Sequence, residues 1–130
     1  MSVRERITAA AAGRTITLVA VSKTRSAEEV AALAALGVAD FGENYVQELL
    51  AKHSAIRPTP VWHLIGPLQS NKAAQVAPCI AWMHTLDRPK LIPLLAAARA
   101  GLPPLNLLIQ VNVDAEDSKS GIAPTVDAGL

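Results

Sequence analysis

The feature that most constrains this chain is a regular alternation of short apolar runs with alanine-rich stretches of helical character. Strand-sized apolar runs separated by helical stretches make βαβ units, and βαβ units imply a parallel sheet. The first run, from Thr17 to Ser22, carries no polar residue between Leu18 and Val21. The expectation is therefore a strand covered on both faces. Ser26 and Glu29 then form a capping box that opens a helix, and Gly37 is placed to close it. A second strand is expected around Asp40 to Gly42, followed by a helix over Tyr45 to Lys52. Its pairs Tyr45/Leu49 and Val46/Leu50 lie four residues apart on shared faces.

Pro58 and Pro60 mark a loop, and Val61 to Ile65 reads as strand three. Gly66 and Pro67 turn the chain into a helix from about Ser70 until Pro78. Ala81 to Leu86 reads as strand four, and Arg88 to Ala100 as a helix closed by Gly101. Leu105 to Val113 is expected to be the fifth strand, the longest and most apolar. Crossovers between neighbouring parallel strands are right-handed. Five such units fit either an open doubly wound sheet or part of a (β/α)8 barrel, which needs eight strands and roughly 250 residues. Gly121 to Pro124 looks like a turn and a helix start, with barely two turns of sequence after it. A helix that short is marginal alone. The expectation is one domain over residues 1–130 in which the barrel is interrupted.

Composition narrows the function classes. Of the 130 residues, 51% are apolar and 18% charged, which suits a packed core rather than disorder. A formal net charge of +1 and 3% aromatic residues give no basis for a nucleic-acid surface or a base-stacking platform. The single Cys79 excludes an internal disulfide or a cysteine metal cluster and fits a reducing cytoplasm. The opening residues lack the pattern of a secretory leader, and no apolar run is long enough to span a bilayer. A cytoplasmic location is expected.

Ligands of parallel α/β folds bind outside the carboxyl ends of the strands. The polar residues expected there are Ser22, Lys23 and Thr24, then Glu43 and Asn44, then Gln69, Ser70, Asn71 and Lys72. His63 lies within strand three, His84 and Thr85 in strand four, and Asn112, Asp114 and Lys119 after strand five. Lys23 follows directly on an apolar run, at the expected rim of the core, where desolvation disfavours an ammonium. A Schiff-base lysine must be neutral to attack an aldehyde, which requires its pKa to fall from about 10.4 to about 7–8. Position alone leaves Lys23 equally readable as a lysine that snorkels into water.

Asn44, Gln69 and Asn71 can orient a ring hydroxyl or a substrate, or serve as loop and cap residues. Ser70 can face an anion or act as an ordinary N-cap. His63, between Trp62 and Leu64, reads first as a satisfied core histidine. A metal-hydrolase reading would join Glu43, His63 and His84, but no two histidines show ligand spacing and no carboxylate cluster accompanies them. No metal is expected. Gly37, Gly42 and Gly66 stand singly, without a glycine-rich phosphate loop.

Five stretches nevertheless occur together in order: LVAVSKT (18–24), FGENYVQE (41–48), WHLIGPLQSNK (62–72), HTLDR (84–88) and LNLLIQVNVDAEDSKSGI (105–122). In this set the chain resembles the pyridoxal phosphate homeostasis protein family, single-domain relatives of the alanine racemase N-terminal barrel. The resemblance covers nearly the whole chain. It implies an α/β fold of the (β/α)8 TIM-barrel type, pyridoxal-phosphate fold type III, with about five of its eight strand–helix units in these residues. It implies pyridoxal 5′-phosphate as cofactor, at the carboxyl ends of the strands. The Schiff-base lysine of the family falls on Lys23. Asn44, His63, Ser70 and Asn71 match motif positions at or near the cofactor face, and Lys119 matches a lysine of open role.

The implied function is to bind, buffer and deliver pyridoxal phosphate, with pyridoxal-phosphate-dependent apoenzymes as recipients and no assigned turnover. Two departures stand out. The helix before the first strand looks short. Family members also continue for roughly another hundred residues, in keeping with the size of a barrel. That further part holds the serine and glycine-threonine segment for the cofactor phosphate and an arginine facing the pyridine nitrogen. Two other readings follow: a racemase-like enzyme using Lys23 with a second proton carrier from elsewhere, or an inactive fragment whose strands one and five form open edges.

Overall fold

A computed structural model of the chain describes residues 2–114 and 120–123. Its elements run α1 (Val3–Ala11), β1 (Val19–Val21), α2 (Ala27–Ala35), β2 (Asp40–Glu43), α3 (Val46–Ala55) and β3 (Val61–Leu64). Then come α4 (Ala73–Val76), β4 (Trp82–Leu86), α5 (Leu91–Ala98) and β5 (Asn106–Ile109). The strands form one parallel sheet in the order β1-β2-β3-β4-β5. A doubly wound sheet reverses its order at a switch point, whereas strands in strict sequence form the wall of a barrel. The order selects the barrel.

Alternation along each strand sorts its side chains onto two faces. Phe41, Trp62, Leu64 and Met83 project to the helical side and pack with Val30, Leu49, Val76, Leu91 and Leu95. The Phe41 and Trp62 rings lie 6.0 Å apart, tilted by 47°. The opposite, inner face carries Val19, Asp40, His63, Trp82, His84 and Leu108 around a shared cavity of about 230 Å³.

Here the expectation of a first strand covered on both faces fails. Val21 is 55% exposed, and Val19 and Ala20 are only half-buried. The helices cover one face of β1, and its inner face lies open. Strand five also differs. It spans four residues, fewer than β4, and a shift in pairing between Met83 and Leu86 interrupts its register. Beyond it Val111 pairs instead with Ile122, in an isolated bridge.

The helix expected from Ser70 to Pro78 is broken into a 3₁₀ turn (Ser70–Lys72), the single α-turn α4 and a second 3₁₀ turn (Ala77–Cys79). Pro78 brings no N–H to the ladder. At the end of the second 3₁₀ turn Arg99 takes up two further carbonyls, donating to Ala77 O at 3.1 Å and Ile80 O at 2.8 Å. The Ser26 capping box forms as expected, with Ser26 Oγ accepting from Glu29 N–H at 3.1 Å. Lys119 and the helix start at Pro124 lie outside the described residues.

Candidate functional site

Three loops at the carboxyl ends of β1, β2 and β3 hold most of the candidate side chains. Val21, Gly42 and His63 are register partners across these strands. Two residues further along each chain come Lys23, Asn44 and Ile65. Lys23 sits in a turn closed by Arg25 N–H to Ser22 O at 3.1 Å. Ser22 N–H binds Gly42 O at 3.0 Å, so the turn starts from a fixed point on β2. Lys23 itself is exposed rather than desolvated against a packed rim. The cause is the open inner face.

Beneath that turn lies a buried ionic cluster that the sequence-based expectations do not include. Lys52, 5% exposed, donates to Ser22 O at 2.7 Å, to Glu43 Oε2 at 2.8 Å and to Glu48 Oε2 at 3.0 Å. Ser22 Oγ also donates to Glu43 Oε2, and Glu48 Oε2 accepts Thr24 N–H at 2.6 Å. Burial alone would pull the Lys52 pKa down, but the hydrogen bonds and charges of Glu43 and Glu48 outweigh it and raise it above the ordinary lysine value. The Lys52 hydrogen bond, against burial and with help from Thr24 N–H, holds the Glu48 carboxyl below its ordinary value. Lys52 is thus locked as an ammonium and is no candidate nucleophile. Its one local signal is a lysine three residues after Leu49 on the buried stripe of α3, with Glu48 four residues before it.

Asn44 follows β2 and is half-buried. Its backbone meets Gly66 so closely that a Cβ on Gly66 would stand 1.9 Å from Asn44 O. Only glycine permits that approach. Thr85 Oγ1 fixes the same loop by donating to Gly66 O at 2.8 Å. Asn44, Tyr45, Gln47, Pro67, Gln69 and Lys72 line a cleft of about 270 Å³ between the two loops, just under the usual size of small-molecule sites. Ser70 and Asn71 follow in the 3₁₀ turn. Asn71 is exposed, while Ser70 Oγ is buried with no hydrogen-bond partner.

His63 is 3% exposed and engaged through both ring nitrogens. Its Nε2 lies 2.8 Å from Asp40 Oδ2 and its Nδ1 2.9 Å from His84 Nε2. A carboxylate only accepts, so His63 Nε2–H donates to Asp40, while the direction of the Nδ1 bond to His84 follows from the tautomers the two rings adopt. Trp82 stacks on the His63 ring at 5.9 Å. Burial, and then the charge of His63, hold His84 below the ordinary histidine pKa. Glu43 stands on the opposite face of the sheet from this pair of histidines, so the three do not converge. Among the described residues no group of three or more His, Cys, Asp or Glu side chains is gathered to hold a metal ion. Nor is any helix among them long and apolar enough to cross a membrane.

The model of the alanine racemase N-terminal domain matches residues 4–129. The chain belongs to that family. Similar curated proteins include the pyridoxal phosphate homeostasis protein of Pseudomonas aeruginosa, 50% identical over 129 residues, 95% of this chain and 56% of the relative. The pyridoxal phosphate homeostasis protein of Escherichia coli is 49% identical over 130 residues, 92% of this chain and 56% of that protein. This chain therefore spans about half the length of the curated relatives it matches.

Among solved structures, PipY of Synechococcus elongatus without PLP superposes with a TM-score of 0.75 at 33% identity, over 92% of this chain and 58% of PipY. PipY with PLP bound gives a TM-score of 0.69 at 30% identity, over 92% of this chain and 57% of PipY. The family and the strand order together establish the (β/α)8 type of fold expected from the motifs, here with five consecutive strands. The three loops described above thus lie at the carboxyl ends of the strands, the end at which barrels of this type generally bind their ligands.

Proposed function

We propose that this chain binds pyridoxal 5′-phosphate as a homeostasis protein and holds it as a Schiff base on Lys23. What carries the reading is the placement of Lys23: an exposed primary amine, on a turn fixed from below, at the carboxyl end of a barrel strand. The residues present suit such a group. Lys52 is committed as an ammonium, which leaves Lys23 as the amine of this turn free to react. Ser70 Oγ is a buried hydroxyl with an unmet hydrogen bond, a cost that a ligand oxygen would remove. The relatives of similar sequence are pyridoxal phosphate homeostasis proteins, and a structural neighbour is PipY with PLP bound.

Bound here, the group would supply an aldehyde carbon open to reversible attack by amines. Lys23 would hold that carbon. Asn44 would orient the ring through its amide, and Ser70 and Asn71 would donate from the adjacent loop. His63, with both nitrogens committed to Asp40 and His84, would contribute its ring as a wall of the inner face rather than a hydrogen bond. A hold that is covalent yet reversible suits buffering and hand-over to apoenzymes in the cytoplasm.

Titration of the purified chain with pyridoxal phosphate should produce a saturable absorption band to the red of the free cofactor. The same titration of Lys23→Ala should show none. Identical spectra for the two proteins would overturn the assignment.

A further inference from the structure

We propose that Lys52, clamped between Glu43 and Glu48, is the positioning residue that presents Lys23 for reaction. The inference rests on the reading of Lys23 given above but is carried by different atoms. The backbone polar groups flanking Lys23 are tied down on both sides. Before it, Ser22 O accepts from Lys52 Nζ at 2.7 Å and Ser22 Oγ donates to Glu43. After it, Thr24 N–H donates to Glu48 Oε2 at 2.6 Å. Both carboxylates converge on the same Lys52 ammonium, at 2.8 and 3.0 Å. One buried cation on α3 thus ties the two ends of a turn that otherwise projects into solvent.

The turn needs such a brace. Thr24 has φ = 65° at the third position of the turn, where a positive φ normally calls for glycine or asparagine. A β-branched residue persists in that conformation only where its surroundings over-determine it. Glu48 supplies that determination through the Thr24 amide, and Lys52 holds Glu48 in place from the adjacent turn of α3. Glu43 is fully buried, and its Oε1 lacks a hydrogen-bond partner, so its contacts with Ser22 and Lys52 run through Oε2 alone. Removing Lys52 Nζ takes away the one donor that Ser22 O, Glu43 Oε2 and Glu48 Oε2 share. The lysine loop is then freed at both ends.

Two readouts on the whole chain test this. The first is amide hydrogen exchange over residues 23–25, which involves no cofactor. The second is the affinity for pyridoxal phosphate from the spectral titration, taken alongside the midpoint of chemical denaturation. Glu48→Ala removes the acceptor of Thr24 N–H at a partly exposed position. It should speed exchange at Thr24 and weaken the cofactor's hold by about tenfold or more each, the scale of one hydrogen bond to a charged group. Glu48→Gln keeps an acceptor and should recover most of the Thr24 protection. Lys52→Met should act in the same direction as Glu48→Ala on both readouts; if it does not fold, the Glu48 pair decides.

Unchanged Thr24 exchange in Glu48→Ala would overturn the proposal. So would cofactor affinity equal to wild type in a folded variant whose turn exchanges faster. If the wild-type chain and Lys23→Ala give the same spectrum, the cofactor reading fails by itself, and Thr24 exchange still decides whether the cluster braces the turn.

Discussion

At the scale of single residues, the site depends on backbone approaches and buried charges more than on the side chains that would touch a ligand. Gly66 shows this most sharply. Its α-hydrogen faces Asn44 O, and a methyl group there would stand 1.9 Å from a backbone atom that has no freedom to withdraw. Gly66→Ala should therefore destabilise the fold by about 1–3 kcal/mol or more, as overpacking does. A denaturant melt measures the loss, and a midpoint equal to wild type would contradict so close an approach of the two loops. Lys52 makes the second case. Breaking a buried ion pair by removing one partner costs roughly 3–5 kcal/mol, because the partner left behind stays charged and unpaired. Lys52→Ala should lie in that range by the same melt, and a loss below about 1 kcal/mol would show that Glu43 finds compensation elsewhere.

At the scale of elements, local chemistry is legible in the sequence and tertiary chemistry is not. The Ser26 capping box is written in four adjacent residues, and it forms as expected, with bonds in both directions between Ser26 and Glu29. Ser26→Ala should cost about 1 kcal/mol, measured by the shift in denaturation midpoint. The five strands are likewise carried by the apolar runs, but their order in the sheet is not, because the same runs fit a doubly wound sheet as well as a barrel. Nor is the extent of β5, because a strand ends where its neighbour stops pairing, and β4 shifts register between Met83 and Leu86. Spacing alone puts Lys23, Asn44, Ser70 and Asn71 at strand ends. It cannot do so for Lys52, whose burial is made by Ser22 and Glu43 from two other elements. Asp40 escapes for the same reason. In the sequence it only opens a strand, and the pairing of β2 with β3 is what brings it to His63.

At the scale of the whole molecule, titratable groups that are buried or half-buried set a window of stability in pH. His84 is held below the ordinary histidine pKa by burial and then by His63, and His53 by burial and then by Arg57. Below about 6.5 the unfolded chain therefore binds more protons than the folded one, so stability is full above that value and falls as the solution is acidified. Lys52 acts at the other end. Its raised value gives stability that is present below about 10.4 and lost as pH climbs through the folded value. Denaturation midpoints should hold steady between about pH 7 and 10 and decline below about 6.5. His84→Gln should make that acid decline shallower, and an unchanged slope would show that His84 does not drive it. Lys23 stands at the centre of the molecule's proposed chemistry, exposed on a braced turn at the ligand-binding end of an α/β barrel wall. The most direct test is to incubate the chain with pyridoxal phosphate, reduce with borohydride and map the modified peptide by mass spectrometry. A single stoichiometric adduct on Lys23 is the expected result; an adduct on Lys72 or another lysine, with Lys23 unmodified, would contradict it.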